Sequence, residues 1–91
     1  METAYRISIK GRVTGVGFRY STLIKSAEFP SLKGYVSNVA YGEVEVFVQG
    51  DEREVDQMLA WLKEGPRFSR VDLFDCVKTV LDLSLSEFSV R

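Results

Sequence analysis

The chain opens with a strand-like pattern followed by a short helical one. Residues 5–10 alternate apolar and polar side chains, which is typical of a strand with one buried face. A helix is predicted to begin near Ser21 and to end by Phe29, because Pro30 disfavours helical geometry in the residue before it. The helix residues expected to face the core are Leu23, Ile24 and Ala27.

The middle of the chain predicts a hairpin and a second helix. Residues 35–39 and 43–49 each favour a strand, and residues 40–42 between them are short enough for a hairpin turn. The second helix is predicted to follow Asp51 as its N-cap and to end at Gly65-Pro66. Its core-facing stripe is Val55, Met58, Leu59 and Leu62, at the spacing of one helix face.

The last third predicts two further strands. Residues 71–77 alternate but slip by one position, which indicates a β-bulge, and a short final strand is centred on residues 87–91. The order strand, helix, strand, strand, helix, strand, with the extra strand, predicts an α+β fold of the ferredoxin-like sandwich type. Its two helices are expected to cover one face of a four- to five-stranded antiparallel sheet, and residues 1–91 to form a single domain.

Composition narrows the function and the location. The chain has no histidine and one cysteine, Cys76, so neither a zinc site nor a Ser-His-Asp triad can be assembled, and no metal or cofactor is expected. A lone cysteine forms no internal disulfide, and residues 1–5 lack the features of a signal peptide. A cytoplasmic location is expected, and no membrane role, since no apolar run approaches the length of a bilayer span.

The charge pattern argues against nucleic acid as a partner. The formal net charge is −1, which gives no general attraction to a polyanion. Glu43 and Glu45 on the predicted third strand also oppose an RNA-recognition domain of the same fold. Residues 1–38 nevertheless hold six basic and two acidic side chains, so positive potential is concentrated in the first part of the chain.

A glycine-punctuated loop, residues 11–19, joins the first strand to the first helix. Glycines permit positive φ and let backbone N–H groups converge, and the helix N-terminus points its free N–H groups at the same place. Arg19 adds a planar, permanently charged fork that matches phosphate geometry. The loop therefore favours an anion site, although an ordinary turn has the same local pattern, and its spacing fits neither the dinucleotide nor the Walker fingerprint.

Two motifs resemble those of the acylphosphatase family. The first is Ile9-x-Gly11-x-Val13-Thr14-Gly15-Val16-Gly17-Phe18-Arg19, with threonine at position 14 where the family has glutamine. The second is Gly34-Tyr35-Val36-Ser37-Asn38, followed at matching offsets by Gly42, Val44 and Gly50. The resemblance extends to Gly65-Pro66, the strand at Val71 and Phe88-x-x-Arg91, so it covers nearly the whole chain.

The resemblance implies a metal-independent hydrolase that splits the carboxyl–phosphate bond of a small acyl phosphate. It implies that Asn38 orients the attacking water and that Arg19 binds the phosphate. The protein is expected to be a monomer with no nucleic-acid partner. The backbone amides expected to bind the phosphate are those of Thr14, Gly15, Val16, Gly17, Phe18 and Arg19.

Two departures from the family motifs leave an alternative open. Thr14 replaces the usual glutamine and Ser37 replaces a longer residue, so a module that binds phosphate or acyl phosphate without turnover is the second hypothesis. Thr14→Gln is expected to leave activity equal or to raise it. The aromatic residues that either line the acyl side or pack in the core are Tyr20, Tyr41 and Phe18.

Overall fold

The computed structural model describes all 91 residues, and it contains every predicted element in the predicted order. Asp51 caps the second helix as expected, because its carboxylate accepts a hydrogen bond from the backbone N–H of Arg53 at 3.0 Å. Neither helix is long and apolar enough to cross a membrane. The elements are β1 (Glu2–Arg12), α1 (Phe18–Ser26), β2 (Lys33–Ala40), β3 (Glu43–Asp51), α2 (Glu52–Glu64), β4 (Arg70–Thr79) and β5 (Phe88–Val90).

The five strands form one mixed sheet in the order β4-β1-β3-β2-β5. The first four strands in the sequence pair antiparallel as predicted, but β5 runs parallel to β2, with Gly34 opposite Phe88. The expectation of a wholly antiparallel sheet is corrected at this edge. Pairing places Thr79, at the end of β4, at the same end of the sheet as Lys33, at the start of β2. A chain that crosses the sheet at that end enters β5 in the direction of β2.

The core lies between the two helices and one face of the sheet. Alternate residues of β1 and β3 point into it, as the period of two requires. The predicted stripe of α2 is confirmed: three of its residues are fully buried, and Leu59 packs at the edge of the core. Full burial of one such side chain stabilises the fold by about 1.5–3 kcal/mol. The fully buried residues from these elements are Ile7, Ile9, Val44, Val46, Val48, Val55, Met58 and Leu62.

The prediction for the inner face of α1 is wrong for Ile24 and Ala27, which are exposed, while Leu23 is half-buried. The helix begins at Phe18, before the predicted start at Ser21, and Phe18 is 1% exposed in the core. Residues at i, i+4 and i+8 share a face, so Thr22 and Ser26 lie inward behind Phe18, while Ile24 is 72% exposed. Burial of the two hydroxyl groups is tolerated because each donates a hydrogen bond to a carbonyl of the preceding turn, at 2.7 and 2.6 Å.

The other face of the sheet is covered in part by residues 80–87, the segment that crosses from β4 to β5. The buried Gln49 amide holds this segment: it donates to the carbonyl oxygen of Asp82 at 2.9 Å and accepts from the Asp82 backbone N–H at 2.7 Å. Beside it the rings of Tyr35 and Phe47 stack at 5.9 Å between centroids. The crossing segment is therefore fastened to β3 by one side chain.

The slip predicted in the fourth strand is a β-bulge. Lys10 pairs with Leu73 and Gly11 with Val71, so Asp72 is the extra residue of β4. The bulge brings Val71 and Phe74 onto the same inner face despite their spacing of three, since both pack against the core.

The two hydrogen bonds between Gln49 and Asp82 predict that loss of the Gln49 side chain destabilises the fold. Gln49→Ala removes both hydrogen bonds to Asp82 and leaves its backbone groups without their protein partners. We expect the free energy of unfolding in urea to fall by about 1–3 kcal/mol. Gln57→Ala on the exposed side of α2 is the matched control, with an expected change below about 0.5 kcal/mol. Equal effects of the two substitutions would contradict the assigned role of Gln49.

Candidate active site

The loop between β1 and α1 depends on two glycines in the left-handed region. Gly15 and Gly17 both have φ of 75°, and a Cβ added at either position would meet no atom within 4 Å. The backbone conformation, and not a lack of space, therefore requires glycine here. Gly17 is the N-cap of α1 and supplies no side-chain acceptor to the first turn.

The loop and the start of α1 present N–H groups without protein acceptors. The helix ladder begins with the Ser21 N–H donating to the Gly17 carbonyl oxygen at 2.9 Å, so the N–H groups before Ser21 precede that ladder. No backbone N–H from Thr14 to Gly17 donates to another protein group. The first turn contains no acidic residue, and the helix dipole adds positive potential. This set of donors suits an anion with several oxygens.

Arg19 lies at the same helix terminus, and no Asp or Glu side chain pairs with it. Because Phe18 is buried, the next residue points away from the core, and the Arg19 guanidinium Nη1 donates to the main-chain oxygen of Arg91 at 3.1 Å. The three ion pairs of the protein lie elsewhere. One main-chain oxygen thus orients the guanidinium, and no acidic side chain competes for it.

Asn38, which belongs to β2, lies close to Arg19 and the loop. The register of the β2–β3 pair shifts after Asn38, which is opposite Val44, and the side chain is exposed near the hairpin turn. Its amide makes no hydrogen bond within the protein. Asn38 and Arg19 line one cleft of about 290 Å³. The remaining lining residues are Val13, Gly15, Gly17, Phe18 and Tyr20.

Two of the predicted loop residues, Thr14 and Val16, do not line this cleft. Val16 packs against the core, and the Thr14 hydroxyl accepts a hydrogen bond from the Gly42 N–H at 2.8 Å. The Gly11 N–H donates to the Gly42 carbonyl oxygen at 3.0 Å, so both backbone groups of Gly42 are tied to the strand and loop. The hairpin turn is thereby fixed against the loop, a contact that the sequence did not reveal.

Arg91, whose main-chain oxygen orients Arg19, makes a second contact that the sequence did not reveal. The Arg91 guanidinium lies 4.1 Å from the centroid of the Tyr35 ring, and the Arg91 N–H donates to the Val36 carbonyl oxygen at 2.8 Å. The Tyr35 hydroxyl donates to Glu45 at 2.9 Å. Burial raises the pKa of Tyr35, and the hydrogen bond to Glu45 raises it further, so the ring stays neutral beneath the cation.

The sequence of this chain matches proteins whose family is known. A family model described as acylphosphatase matches residues 5–90. The chain belongs to the acylphosphatase family. It is 46% identical over 70 residues to an acylphosphatase of Photobacterium profundum, which is 77% of each chain.

Solved acylphosphatases share the whole fold. A structure from Coxiella burnetii matches with a TM-score of 0.90 and 33% identity over 99% of this chain and 93% of that chain. One from Bacillus subtilis matches with a TM-score of 0.88 and 32% identity over 100% and 99%. The predictions of the ferredoxin-like fold, of the acylphosphatase family and of a hydrolase acting on acyl phosphate are confirmed.

The Thr14 hydroxyl predicts a dependence of acylphosphatase activity on one hydrogen bond. Thr14→Val leaves the Gly42 N–H without its acceptor, and Thr14→Ser keeps it. We expect Thr14→Val to lower kcat/KM about fivefold, as for a loss of about 1 kcal/mol, while Thr14→Ser stays within about twofold of the original. Steady-state kinetics with benzoyl phosphate measures both. Equal activity of the serine and valine variants would show that the bond does not support the loop.

The Tyr35 ring predicts a separate effect on phosphate binding. Tyr35→Leu removes the aromatic face beneath Arg91, whose main-chain oxygen orients Arg19, whereas Tyr35→Phe keeps that face. We expect the leucine variant to raise the inhibition constant of inorganic phosphate about two- to fivefold, and the phenylalanine variant to change it less than about twofold. If the phenylalanine variant is impaired as much as the leucine variant, the hydroxyl and not the ring supports the site.

Proposed function

We propose that the protein hydrolyses the carboxyl–phosphate bond of small acyl phosphates without a metal ion, releasing a carboxylate and inorganic phosphate. The observation that carries this proposal is the shared cleft: Arg19, Asn38 and the glycine loop line one depression at the N-terminus of α1. Family membership supplies the substrate class.

Phosphate binding is assigned to charge and backbone donors together. The Arg19 guanidinium pairs with no Asp or Glu side chain, and the N–H groups of Gly15 and Gly17, which line the cleft, have no protein acceptor. Both are strong donors to phosphate oxygens. As charge redistributes over the oxygens in the transition state, these fixed donors stabilise it without reorganisation.

The hydrolysis needs no side chain that acts as a general acid or a general base. Water oxygen forms a bond to phosphorus while the bond from phosphorus to the carboxylate oxygen breaks, and the electron pair leaves with the carboxylate. A carboxylate is weakly basic, so the leaving group needs no general acid, in keeping with a chain that lacks histidine. The proton of the water passes to a phosphate oxygen of the substrate.

Asn38 is assigned the role of orienting the attacking water. Its side-chain amide is uncharged and carries both an acceptor and donors, and no protein group competes for them. The amide oxygen accepts one hydrogen bond from the water, which leaves a lone pair of the water directed at phosphorus. Positioning of this kind contributes to rate through orientation.

The test is hydrolysis of benzoyl phosphate by the pure protein with EDTA present. We expect metal-independent turnover in the original protein. Arg19→Ala and Asn38→Ala are each expected to lower kcat/KM at least about 100-fold. Arg19→Lys keeps the charge but loses the bidentate fork, and is expected to remain well below the original. Arg53→Ala, at the opposite end of the sheet, is the matched control and should retain full activity.

Turnover also separates this function from the binding module that the sequence left open. A folded protein that binds inorganic phosphate through Arg19 but releases no carboxylate from benzoyl phosphate would support the module instead. Turnover that EDTA abolishes would contradict the metal-independent mechanism. Turnover that survives both alanine substitutions would remove Arg19 and Asn38 from the reaction.

A further inference from the structure

Helix α1 and its C-cap residue carry an apolar stripe that the core does not use. Tyr20, Leu23, Ile24 and Ala27 stand at i, i+3, i+4 and i+7, which is the spacing of one helix face. Another face of the helix fills the core, so Tyr20 is 62% and Ile24 72% exposed, while Ala27 is exposed and Leu23 half-buried. Contiguous apolar patches on a protein surface mark interaction sites or ligand grooves.

The stripe borders a groove of about 520 Å³. One wall is α1, the other is the segment that enters β5, and the residues that follow α1 close the end. Glu87 is the only charged residue among those that line it. The groove therefore suits an uncharged carbon chain. Its apolar lining residues are Leu23, Ile24, Ala27, Phe29, Leu32 and Phe88.

The groove adjoins the cleft that is assigned to phosphate. Tyr20 lines that cleft, whereas Leu23 and Ile24 line the groove. Side chains three and four positions apart on a helix are neighbours, with about 5–6 Å between their Cβ atoms. Helical side chains also lean towards the N-terminus, so Ile24 leans towards Tyr20, and Tyr20 leans towards the cleft. The tyrosine ring thus joins the two sites into one path.

The path has the length of an extended acyl chain. The seven residue steps from Tyr20 to Ala27 lead away from the cleft and rise by about 10 Å. An extended chain advances about 1.2 Å per bond, since the three backbone bonds of a residue span about 3.3–3.6 Å, so a decanoyl group covers the same length. The phosphate cleft alone, at about 290 Å³, is at the small end of the range of about 300–1,000 Å³ for small-molecule sites. A long acyl group therefore extends beyond it.

The charges at the two ends of the path differ in sign. Arg19 and the loop N–H groups attract an anion at the cleft. At the far end, Glu87 has no basic side chain within ion-pair distance, and Lys25 is paired with Glu28 at 3.1 Å. The far end repels a second anion. The path as a whole fits a ligand with an anionic head and an uncharged tail.

We propose that the groove along α1 binds the hydrocarbon tail of the substrate, and that the protein favours acyl phosphates with a long, uncharged aliphatic chain. Tyr20 covers the carbons nearest the reacting carbonyl, and Ile24 and Ala27 contact those further along. The inference rests on the proposed hydrolysis at the phosphate cleft and adds a substrate class to it. The occupant of the groove is the substrate's own tail, because the groove adjoins the cleft through Tyr20.

The test compares acetyl phosphate with decanoyl phosphate, below the concentration at which the latter forms micelles. The reacting group is the same, so the ratio of the two kcat/KM values reports the tail. We expect decanoyl phosphate to be favoured at least about 20-fold, far below the value of about fourfold per fully buried methylene, because one side of the tail stays in water. The gain should lie in KM, since the tail is bound equally in the ground and transition states. Added salt should not reduce it.

Variants then assign the preference to the groove. Ile24→Gln places an amide on the exposed stripe and is expected to lower the ratio about three- to tenfold by raising KM for decanoyl phosphate. Ile24→Leu should retain the preference. Leu83→Gln is the matched control, because Leu83 is 90% exposed on the segment between β4 and β5, and it should leave the ratio unchanged. Acetyl phosphate is the internal reference in each variant, since its acyl group ends before the groove.

The outcomes separate the groove from the hydrolase. Equal kcat/KM values for the two substrates, or a preference that Ile24→Gln keeps or that Leu83→Gln also loses, would overturn the groove and leave the hydrolase standing. If neither substrate is hydrolysed, the proposed function fails. The groove then stands if calorimetry detects binding of decanoyl phosphate that Ile24→Gln weakens, and it is overturned otherwise. A dimer that Ile24→Gln dissociates would assign the stripe to a second copy of the chain instead.

Discussion

Burial of Phe18 is the constraint on which the candidate site depends. Its ring is 1% exposed in the core, and burying a side chain of this size stabilises the fold by about 1.5–3 kcal/mol. The same residue is the first of α1, so its anchoring fixes where the helix begins. The helix terminus, with its free N–H groups and Arg19, is thereby held at one end of the sheet. Gly15 and Gly17 allow the loop to reach that start, because each adopts a φ that other residues adopt only with strain.

The segment that crosses the outer face of the sheet also contributes to the candidate site. Residues 80–87 cross from one edge of the sheet to the other and are fastened by the Gln49 amide. That crossing sets the direction of β5, whose end delivers the main-chain oxygen of Arg91 to Arg19. The arginine assigned to phosphate is therefore oriented by the last residue of the sequence, and the cost of ordering its long side chain is met partly during folding.

The loop between β1 and α1 also separates two clefts that are lined by different side chains. On one side it offers N–H groups with Arg19 and Asn38, and on the other it presents Thr14 beside a basic cleft that contains Arg12. The Thr14 hydroxyl links the loop to the hairpin turn through Gly42. Threonine at a position where the family has glutamine thus has a contact of its own in this chain, and that contact fixes the hairpin turn against the loop.

The sequence by itself determined the order of the elements, the buried stripe of α2, the loop and the family, because these follow from local periodicity and from motifs of contiguous residues. It also indicated Arg19 and Asn38. Only the tertiary structure decided that these two side chains line one cleft, that α1 turns Thr22 inward and Ile24 outward, and that β5 runs parallel to β2. Each of these depends on which distant segments pack together, and the free energy of that packing outweighs the weak local preferences that a sequence pattern records.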